Sequence, residues 1–272
     1  MTISDRRGRG WQLLALPIAV CTLVSAPDRG MTEPPDRQTI ERALKAAYPA
    51  HVGRIEGNAL VWKDGTRMVI DDGRGAKTHE VLLNTADIKD MFFARYPLGA
   101  SGLPPAVNAD PGRARNAPFF DKMYGDCRAG GVTRNLVDVV WLPKKWGKVV
   151  KITRINDVDK KLAAVSRELD ELPARFDAFL FPSEGTYVCR AIAGTNRVSA
   201  HGHGIAIDIS TKQAHYWRWT RPDANGRYPH KNRIPWEIVE VFERHGFVWG
   251  GKWYHYDTMH FEYRPEIIAA SK

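Results

Sequence analysis

The most informative stretch of this chain is SAHGHGIAID, residues 199–208. It ends in an alternating run typical of a strand, in which successive side chains point to opposite faces. Asp208 then lies on the face of Gly204 and Ala206, whose small size leaves room for an ion and a substrate, while the isoleucines between them enter the core. His201 precedes the strand and returns to the same side through a glycine-rich turn.

A second informative stretch is WGGKWYHYDTMHFE, residues 249–262. Its end predicts a short strand, Met259–Tyr263, in which His260 and Glu262 share one face and the phenylalanine between them enters the core. Asp257 comes just before that strand, close enough to act on a water molecule held at the site. The two stretches together therefore supply two imidazoles and a carboxylate as potential metal ligands, and a second carboxylate that could act on water.

Those side chains are typical of a catalytic zinc site, in which three protein ligands leave one coordination position open. We predict one Zn²⁺ ion held by His201, Asp208 and His260. Asp257 is predicted to be the general base that takes a proton from water during attack on a carbonyl. Glu262 is expected to orient a ligand imidazole by accepting a hydrogen bond from the ring nitrogen that does not face the metal, as metal-bound histidines usually require.

The two stretches, in this order, resemble the D-alanyl-D-alanine metallocarboxypeptidase family of the VanY and VanX type, which includes phage L-alanyl-D-glutamate endopeptidases. The resemblance covers roughly residues 180–265 and implies the zinc ligands and the base already named. It also implies an arginine ahead of the first histidine, which neutralises a developing oxyanion or a substrate carboxylate. Arg190 occupies that place, and Arg197 competes for it. The implied fold is the hedgehog and D-Ala-D-Ala peptidase type.

Several nearby residues have open assignments. His203 is an alternative ligand, because it would share a face with the first histidine in an extended segment. Ser199, Trp249 and Trp253 are expected beside the site, as substrate-binding groups or as supports of the ligands, although core packing is the alternative for the tryptophans. The basic and aromatic segment 216–233 is interpreted as a substrate-binding loop, with a solvated loop as the alternative. His255 is expected on the wall of the site or on the surface.

The N-terminus has the pattern of a secretory signal peptide, predicted over residues 1–26. Charged residues precede an apolar run that ends in small residues, and Pro27 just after the expected cleavage site is unfavourable. We expect an exported protein, periplasmic or associated with the cell envelope, and a membrane-bound form only where that segment is uncleaved. In such an oxidising compartment, Cys127 and Cys189 are expected to form a disulfide, with two free thiols as the alternative.

The 272-residue chain is basic, with a formal net charge of +9 and an isoelectric point near 9.5. Such a protein is attracted to polyanions. Interleaved basic and aromatic residues also occur in proteins that bind single-stranded nucleic acid. Because an exported protein seldom meets nucleic acid, we expect no nucleic-acid partner and favour an anionic polymer of the cell envelope.

The organisation of the chain is predicted from its local patterns. Residues 27–145 are expected to form an accessory region and residues 146–272 the zinc peptidase domain. The fold class is α+β, with a small, mostly antiparallel sheet and flanking helices. The predicted elements comprise a helix in 39–47, a hairpin with a type I′ turn at 64–65, a long surface loop at 99–116, strands at 149–153, 186–190 and 204–210, and helices from 157 or 159 to 172 and from 235 to 246.

Taken together, the sequence predicts an exported zinc peptidase that cleaves peptidoglycan stem peptides, most simply as a D-alanyl-D-alanine carboxypeptidase. An endopeptidase that cuts the L-Ala-D-Glu bond or a crosslink would use the same metal ligands and a longer cleft. A zinc-containing cell-wall-binding domain without activity is the alternative from another functional class. The presence of Asp257 argues against that alternative, because an inactive site has no need of a base.

Overall fold

The computed structural model describes residues 1–2 and 34–272. The predicted signal peptide therefore lies, apart from its first two residues, outside the described part of the chain. Across residues 34–272, no helix is both long and apolar enough to cross a membrane.

The described chain is an α+β structure, which confirms the predicted class. Seven α-helices are present in residues 34–272: α1 Arg37–Ala47, α2 His79–Asn84, α3 Ala117–Tyr124, α4 Val158–Asp170, α5 Asp177–Leu180, α6 Trp236–Arg244 and α7 Pro265–Ala270. Eight strands accompany them over the same range: β1 Val52–Glu56, β2 Ala59–Trp62, β3 Arg67–Val69, β4 Leu136–Trp141, β5 Lys148–Thr153, β6 Ala206–Asp208, β7 Phe247–Trp249 and β8 His260–Tyr263.

The strands form three small antiparallel sheets rather than one. Their orders are β1-β2-β3, β4-β5 and β6-β8-β7. In the third sheet, strand β8 lies in the middle and pairs with both neighbours. This is the sheet that carries the two stretches with which the sequence analysis began.

The predicted hairpin is present, but its turn is not of type I′. That turn needs positive φ at both central residues, and only Gly65 has it, at +85°. Asp64 instead accepts a hydrogen bond from the backbone N–H of Thr66 at 3.0 Å. The acidic side chain thus closes a longer loop by bonding to backbone two residues on.

The predicted strand at 186–190 is absent. Its backbone forms hydrogen bonds with other partners: the carbonyl of Thr186 accepts one from His201, and the carbonyl of Arg190 accepts one from the backbone N–H of Ser199 at 3.1 Å. Cys189 is bonded to Cys127, with the Cα atoms 5.6 Å apart, which confirms the predicted disulfide. The segment is therefore fixed by single contacts beside β6 and not by a strand ladder.

The long irregular segment at 99–116 does not stay on the surface. Asp110 and Ala114 are fully buried, and the second half of this segment runs towards the third sheet. One continuous hydrophobic core includes side chains from Ile40 to Ala270, and Tyr48 donates a 2.6 Å hydrogen bond to the buried carboxylate of Glu266. The N-terminal part of the described chain thus packs directly on its C-terminal helix α7. The proposed boundary between residues 27–145 and 146–272 remains a prediction.

Candidate metal centre

The register between β6 and β8 brings two of the predicted ligands together. Asp208 lies directly opposite His260, and Ala206 opposite Glu262. Side chains directly opposite in an antiparallel pair have Cβ atoms about 4.5–5.5 Å apart. As a result, His260 Nδ1 lies 2.8 Å from Asp208 Oδ1.

The third predicted ligand comes from the turn before β6. His201 lies on a single helical turn, residues 200–203, whose N-cap is Ser199. The hydroxyl of Ser199 accepts a 3.4 Å hydrogen bond from the backbone N–H of His201. The turn ends at Gly204 with φ +66°, a left-handed conformation that favours glycine. His201 Nε2 then lies 3.2 Å from both His260 Nδ1 and Asp208 Oδ1.

The hydrogen bonds behind the two imidazoles fix which nitrogen faces inward. His201 Nδ1 donates to the carbonyl of Thr186, so its Nε2 carries the lone pair. His260 Nε2 donates to Glu262 Oε2 at 3.2 Å, so Nδ1 is the nitrogen that faces inward, where it lies beside Asp208 Oδ1. Two inward imidazole nitrogens and a carboxylate oxygen therefore converge at one point. This donor set fits zinc, which would take the place of the proton between His260 and Asp208.

The carboxylate behind His260 is itself held by two arginines. Glu262 is fully buried and contacts the guanidinium groups of Arg115 and Arg264. Burial opposes ionisation of Glu262, but Arg115, His260 and Arg264 hold its pKa well below the usual range. Burial likewise lowers the pKa of His260, but hydrogen bonds to Asp208 and Glu262 outweigh it and raise that pKa to about 10. Without an ion His260 is therefore protonated and donates to both carboxylates, and binding of a metal ion would release that proton.

Asp257 differs from the other carboxylates at the site. It is half-buried, and its Oδ1, which is shielded from solvent, has no hydrogen-bond partner among the described residues. Burial raises the pKa of Asp257 to about 6; the charge of Asp208 adds to this rise, and His260 opposes it. A carboxylate without a fixed partner, at the wall of a cavity, is free to exchange a proton with a bound molecule.

A cavity of about 300 Å³ opens in front of these groups. The structure places most of the predicted site residues on its wall. They are His201, Asp208, His260, Asp257, Arg190, Ser199 and Trp253. Tyr216 and Trp219, from the predicted substrate-binding loop, line the cavity as well.

Two expected residues lie elsewhere. Trp249 is fully buried in the hydrophobic core, where its indole N–H donates to the carbonyl of Thr258 at 2.8 Å. It does not line the cavity, because its strand packs both faces into the interior. His203 points away from the site and contacts Asp121 at 2.9 Å, against the ring of Phe120. The structure therefore does not support His203 as an alternative ligand.

Two arginines of the site were missed in the sequence. Arg113 and Arg115 come from the irregular segment before α3 and line the same cavity. Their segment forms turns and has no periodicity that could have indicated their place in the site. Arg197, the competitor of Arg190, does not line this cavity but a neighbouring one.

A second group of potential ligands lies nearby, but its hydrogen bonds are complete without an ion. Asp110 Oδ2 contacts His79 Nε2 at 2.9 Å and His255 Nδ1 at 2.7 Å. Each imidazole can donate its own N–H to that one carboxylate, so the group requires no cation. His255, expected on the wall of the site or on the surface, lines the neighbouring cavity.

The comparison with known families agrees with this geometry. Residues 193–263 match the family model described as D-alanyl-D-alanine carboxypeptidase. The resemblance drawn from the sequence is thereby confirmed over this segment, which contains His201, Asp208, Asp257 and His260. The match supports a peptidoglycan-acting metallopeptidase in general terms. No curated protein and no solved structure matched the chain.

Proposed function

We propose that this chain is an exported zinc peptidase that cleaves peptidoglycan stem peptides, most simply as a D-alanyl-D-alanine carboxypeptidase with the hedgehog-type fold of that family. The observation that carries the proposal is the convergence of His201, Asp208 and His260 beside Asp257, whose Oδ1 has no hydrogen-bond partner among residues 34–272. The family match over residues 193–263 supports the substrate class. An exported enzyme of this kind would work in the periplasm or the cell envelope.

In the proposed mechanism, His201, His260 and Asp208 would hold one zinc ion. When bound, such an ion polarises the scissile carbonyl and lowers the pKa of water towards about 7. Thr186 and Glu262 keep the two imidazoles in the required tautomers and orientations. These contacts fix the ligand geometry before substrate arrives.

Asp257 acts as the general base in this proposal. Its raised pKa lies closer to neutral pH than that of an ordinary carboxyl group, so it can accept the proton of the attacking water and deliver it to the leaving amine. Its Oδ1 has no competing hydrogen-bond partner among residues 34–272.

The arginines on the cavity wall stabilise negative charge. Arg190 is exposed and makes no side-chain hydrogen bond or ion pair with residues 34–272, so its guanidinium is available to the substrate. It suits either the carbonyl oxygen, where charge develops in the transition state, or the terminal carboxylate of the peptide. Arg115 is already engaged with Glu262 and acts on the site through that residue.

An endopeptidase is the second candidate, and one observation favours it. A further cavity of about 280 Å³ adjoins the first, and Arg113 and Ile192 line both. A cleft that continues beyond the metal site suits a peptide that extends on that side. An inactive zinc-containing wall-binding domain is less well supported, because Asp257 is retained in a position where its burial is unfavourable.

The basic surface suits the proposed location. A net charge of +9 would hold the protein to anionic polymers of the cell envelope, and salt would weaken that attraction. We propose no nucleic-acid partner, and a membrane-bound form only where the N-terminal segment is uncleaved.

The test is mass spectrometry of pentapeptide-bearing muropeptides incubated with the zinc-loaded protein. Loss of one terminal alanine is the result expected for the carboxypeptidase. Internal cuts with an intact terminus would instead establish the endopeptidase. No cuts at all would overturn the peptidase proposal and favour the binding domain.

A further inference from the structure

A groove adjoins the metal cavity and takes no part in the proposed mechanism. Its wall combines Arg113, Arg197 and Arg218 with the aromatic rings of Trp217 and His255. Because Arg113 and Ile192 also line the metal cavity, the groove and the metal site share a wall. A substrate bound at the metal can therefore reach the groove.

Arg197 carries a positive charge that the described protein does not balance. Its guanidinium forms no ion pair with residues 34–272, and its Nε is buried without an acceptor. Burial, together with the charges of Arg115 and Arg113, lowers the pKa of Arg197 to about 10. A desolvated guanidinium that faces other positive charges would be stabilised by an anion.

The other two arginines have few carboxylate partners of their own. Arg218 donates to the carbonyl of Ala193 at 3.2 Å and stacks on Trp217, with its guanidinium carbon 5.1 Å from the ring centroid. Arg113 lies 3.4 Å from Asp110 Oδ2, an oxygen that already contacts two histidines. Glu80 is the one carboxylate among the described lining residues, and it is exposed. The groove therefore has an excess of positive charge.

The loop that carries Arg197 has a fixed backbone. Ile192 N donates to Arg197 O at 2.8 Å, and Thr195 N donates to Ile192 O at 3.0 Å. An isolated bridge between Ala191 and Val198 closes the base of this loop. Such preorganisation lowers the entropy that a bound ligand must lose in ordering its site.

We propose that this groove binds a carboxylate of the peptide substrate away from the scissile bond, so that the site selects acidic stem peptides. The proposal rests on the proposed function and deepens it. A forked guanidinium accepts a planar carboxylate through two parallel hydrogen bonds. In a stem peptide this group is the free α-carboxyl of a γ-linked D-glutamate or a carboxyl on the side chain of the following residue. Both sources present the same chemistry to the arginines.

The experiment compares matched peptides on the full chain and its variants. The first peptide is L-Ala-γ-D-Glu-L-Lys-D-Ala-D-Ala, and the second is identical except that the glutamate α-carboxyl is a carboxamide. A third peptide carries diaminopimelate in place of lysine, which adds the other carboxylate. Both kcat/KM for cleavage and affinity by calorimetry are measured for the unmodified protein, Arg197→Gln and Arg218→Gln. Arg167→Gln, an exposed arginine of α4, serves as the matched control for loss of one charge.

The expected result is a loss that depends on the substrate's carboxylate. Arg197→Gln should weaken cleavage and binding of the acidic peptide by roughly 10- to 100-fold, and those of the carboxamide by less than about 2-fold. If Arg197→Gln weakens cleavage and binding of the diaminopimelate peptide alone, the groove is supported and the bound carboxylate is the one on the side chain of the residue after the glutamate. Glu80→Gln should strengthen binding of the acidic peptide, because it removes the repelling carboxylate.

Equal losses for all three peptides would overturn the proposal, as would no loss for any peptide in either arginine variant. Failure of the proposed function can be distinguished from failure of this proposal. If the unmodified protein cleaves none of the peptides, calorimetry still decides. Tighter binding of either carboxylate-bearing peptide that Arg197→Gln abolishes supports the groove, and equal affinity for all three peptides contradicts it.

Discussion

Replacement of Asp257 by asparagine separates catalysis from metal binding and from folding. Loss of a general base lowers rates by about 10²- to 10⁴-fold, which corresponds to roughly 3–5 kcal/mol in the activation free energy. The change keeps the shape of the side chain and touches none of the three predicted ligands. We therefore expect cleavage to fall by that factor while one zinc ion remains bound.

The same substitution should not destabilise the metal-free protein. Burial raises the pKa of Asp257 from 3.8 to about 6, and this shift corresponds to roughly 3 kcal/mol. Because the folded state binds the proton more tightly, stability from this group is full below pH 3.8 and is lost as pH rises through about 6. At pH 7–8 the ionised carboxylate thus opposes folding, and asparagine should leave stability unchanged or raise it by up to about 3 kcal/mol.

The assay combines steady-state cleavage, zinc content and urea unfolding of the metal-free protein at pH 5 and pH 8. Asp138→Asn, on the exposed face of β4, is the control for removal of one carboxylate. Activity that survives in Asp257→Asn would refute the assignment of the base. A loss of stability greater than about 1 kcal/mol at pH 8 would refute the electrostatic reasoning, since it would mean that the carboxylate stabilises the fold.

Three further changes test the surroundings of the site. Glu262→Gln should weaken zinc affinity by about 10- to 100-fold, measured by competition with a chelator, and it should also lower stability because Arg264 loses a buried partner; unchanged affinity would contradict the role in orienting His260. Arg190→Gln should lower kcat/KM by roughly 10²-fold with zinc content unchanged. An increase in KM with kcat unchanged would assign Arg190 to substrate binding only. Reduction of the Cys127–Cys189 disulfide should cost about 2–5 kcal/mol in the free energy of unfolding, which thermal melts with and without reductant would detect; an identical melting temperature would show that the bond is dispensable.

The strand periodicity carried most of the site prediction. A period of two residues was enough to place Asp208 on one face of β6 and to pair His260 with Glu262 on β8. The tautomers and the distances were not accessible, because they depend on the register between β6 and β8 and on the carbonyl of Thr186. Register is a long-range property that neither strand encodes alone.

The failures have physical causes as well. Trp249 lies in a strand buried on both faces, and an aromatic residue near a motif gives no sign of which side it faces. The strand expected at 186–190 has suitable residues, but tertiary contacts use its backbone instead. Arg113 and Arg115 come from a segment without periodicity, and only the packing of residues 34–145 on the third sheet brings them to the cavity.

Zinc stoichiometry after equilibrium dialysis tests whether His201, Asp208 and His260 hold the metal. We expect one zinc ion per chain in the unmodified protein and in His203→Ala, and none in His260→Ala. His255→Ala, which removes a member of the neighbouring histidine pair, should also keep its zinc. Full occupancy in His260→Ala, or loss of zinc in His255→Ala instead, would contradict the claim.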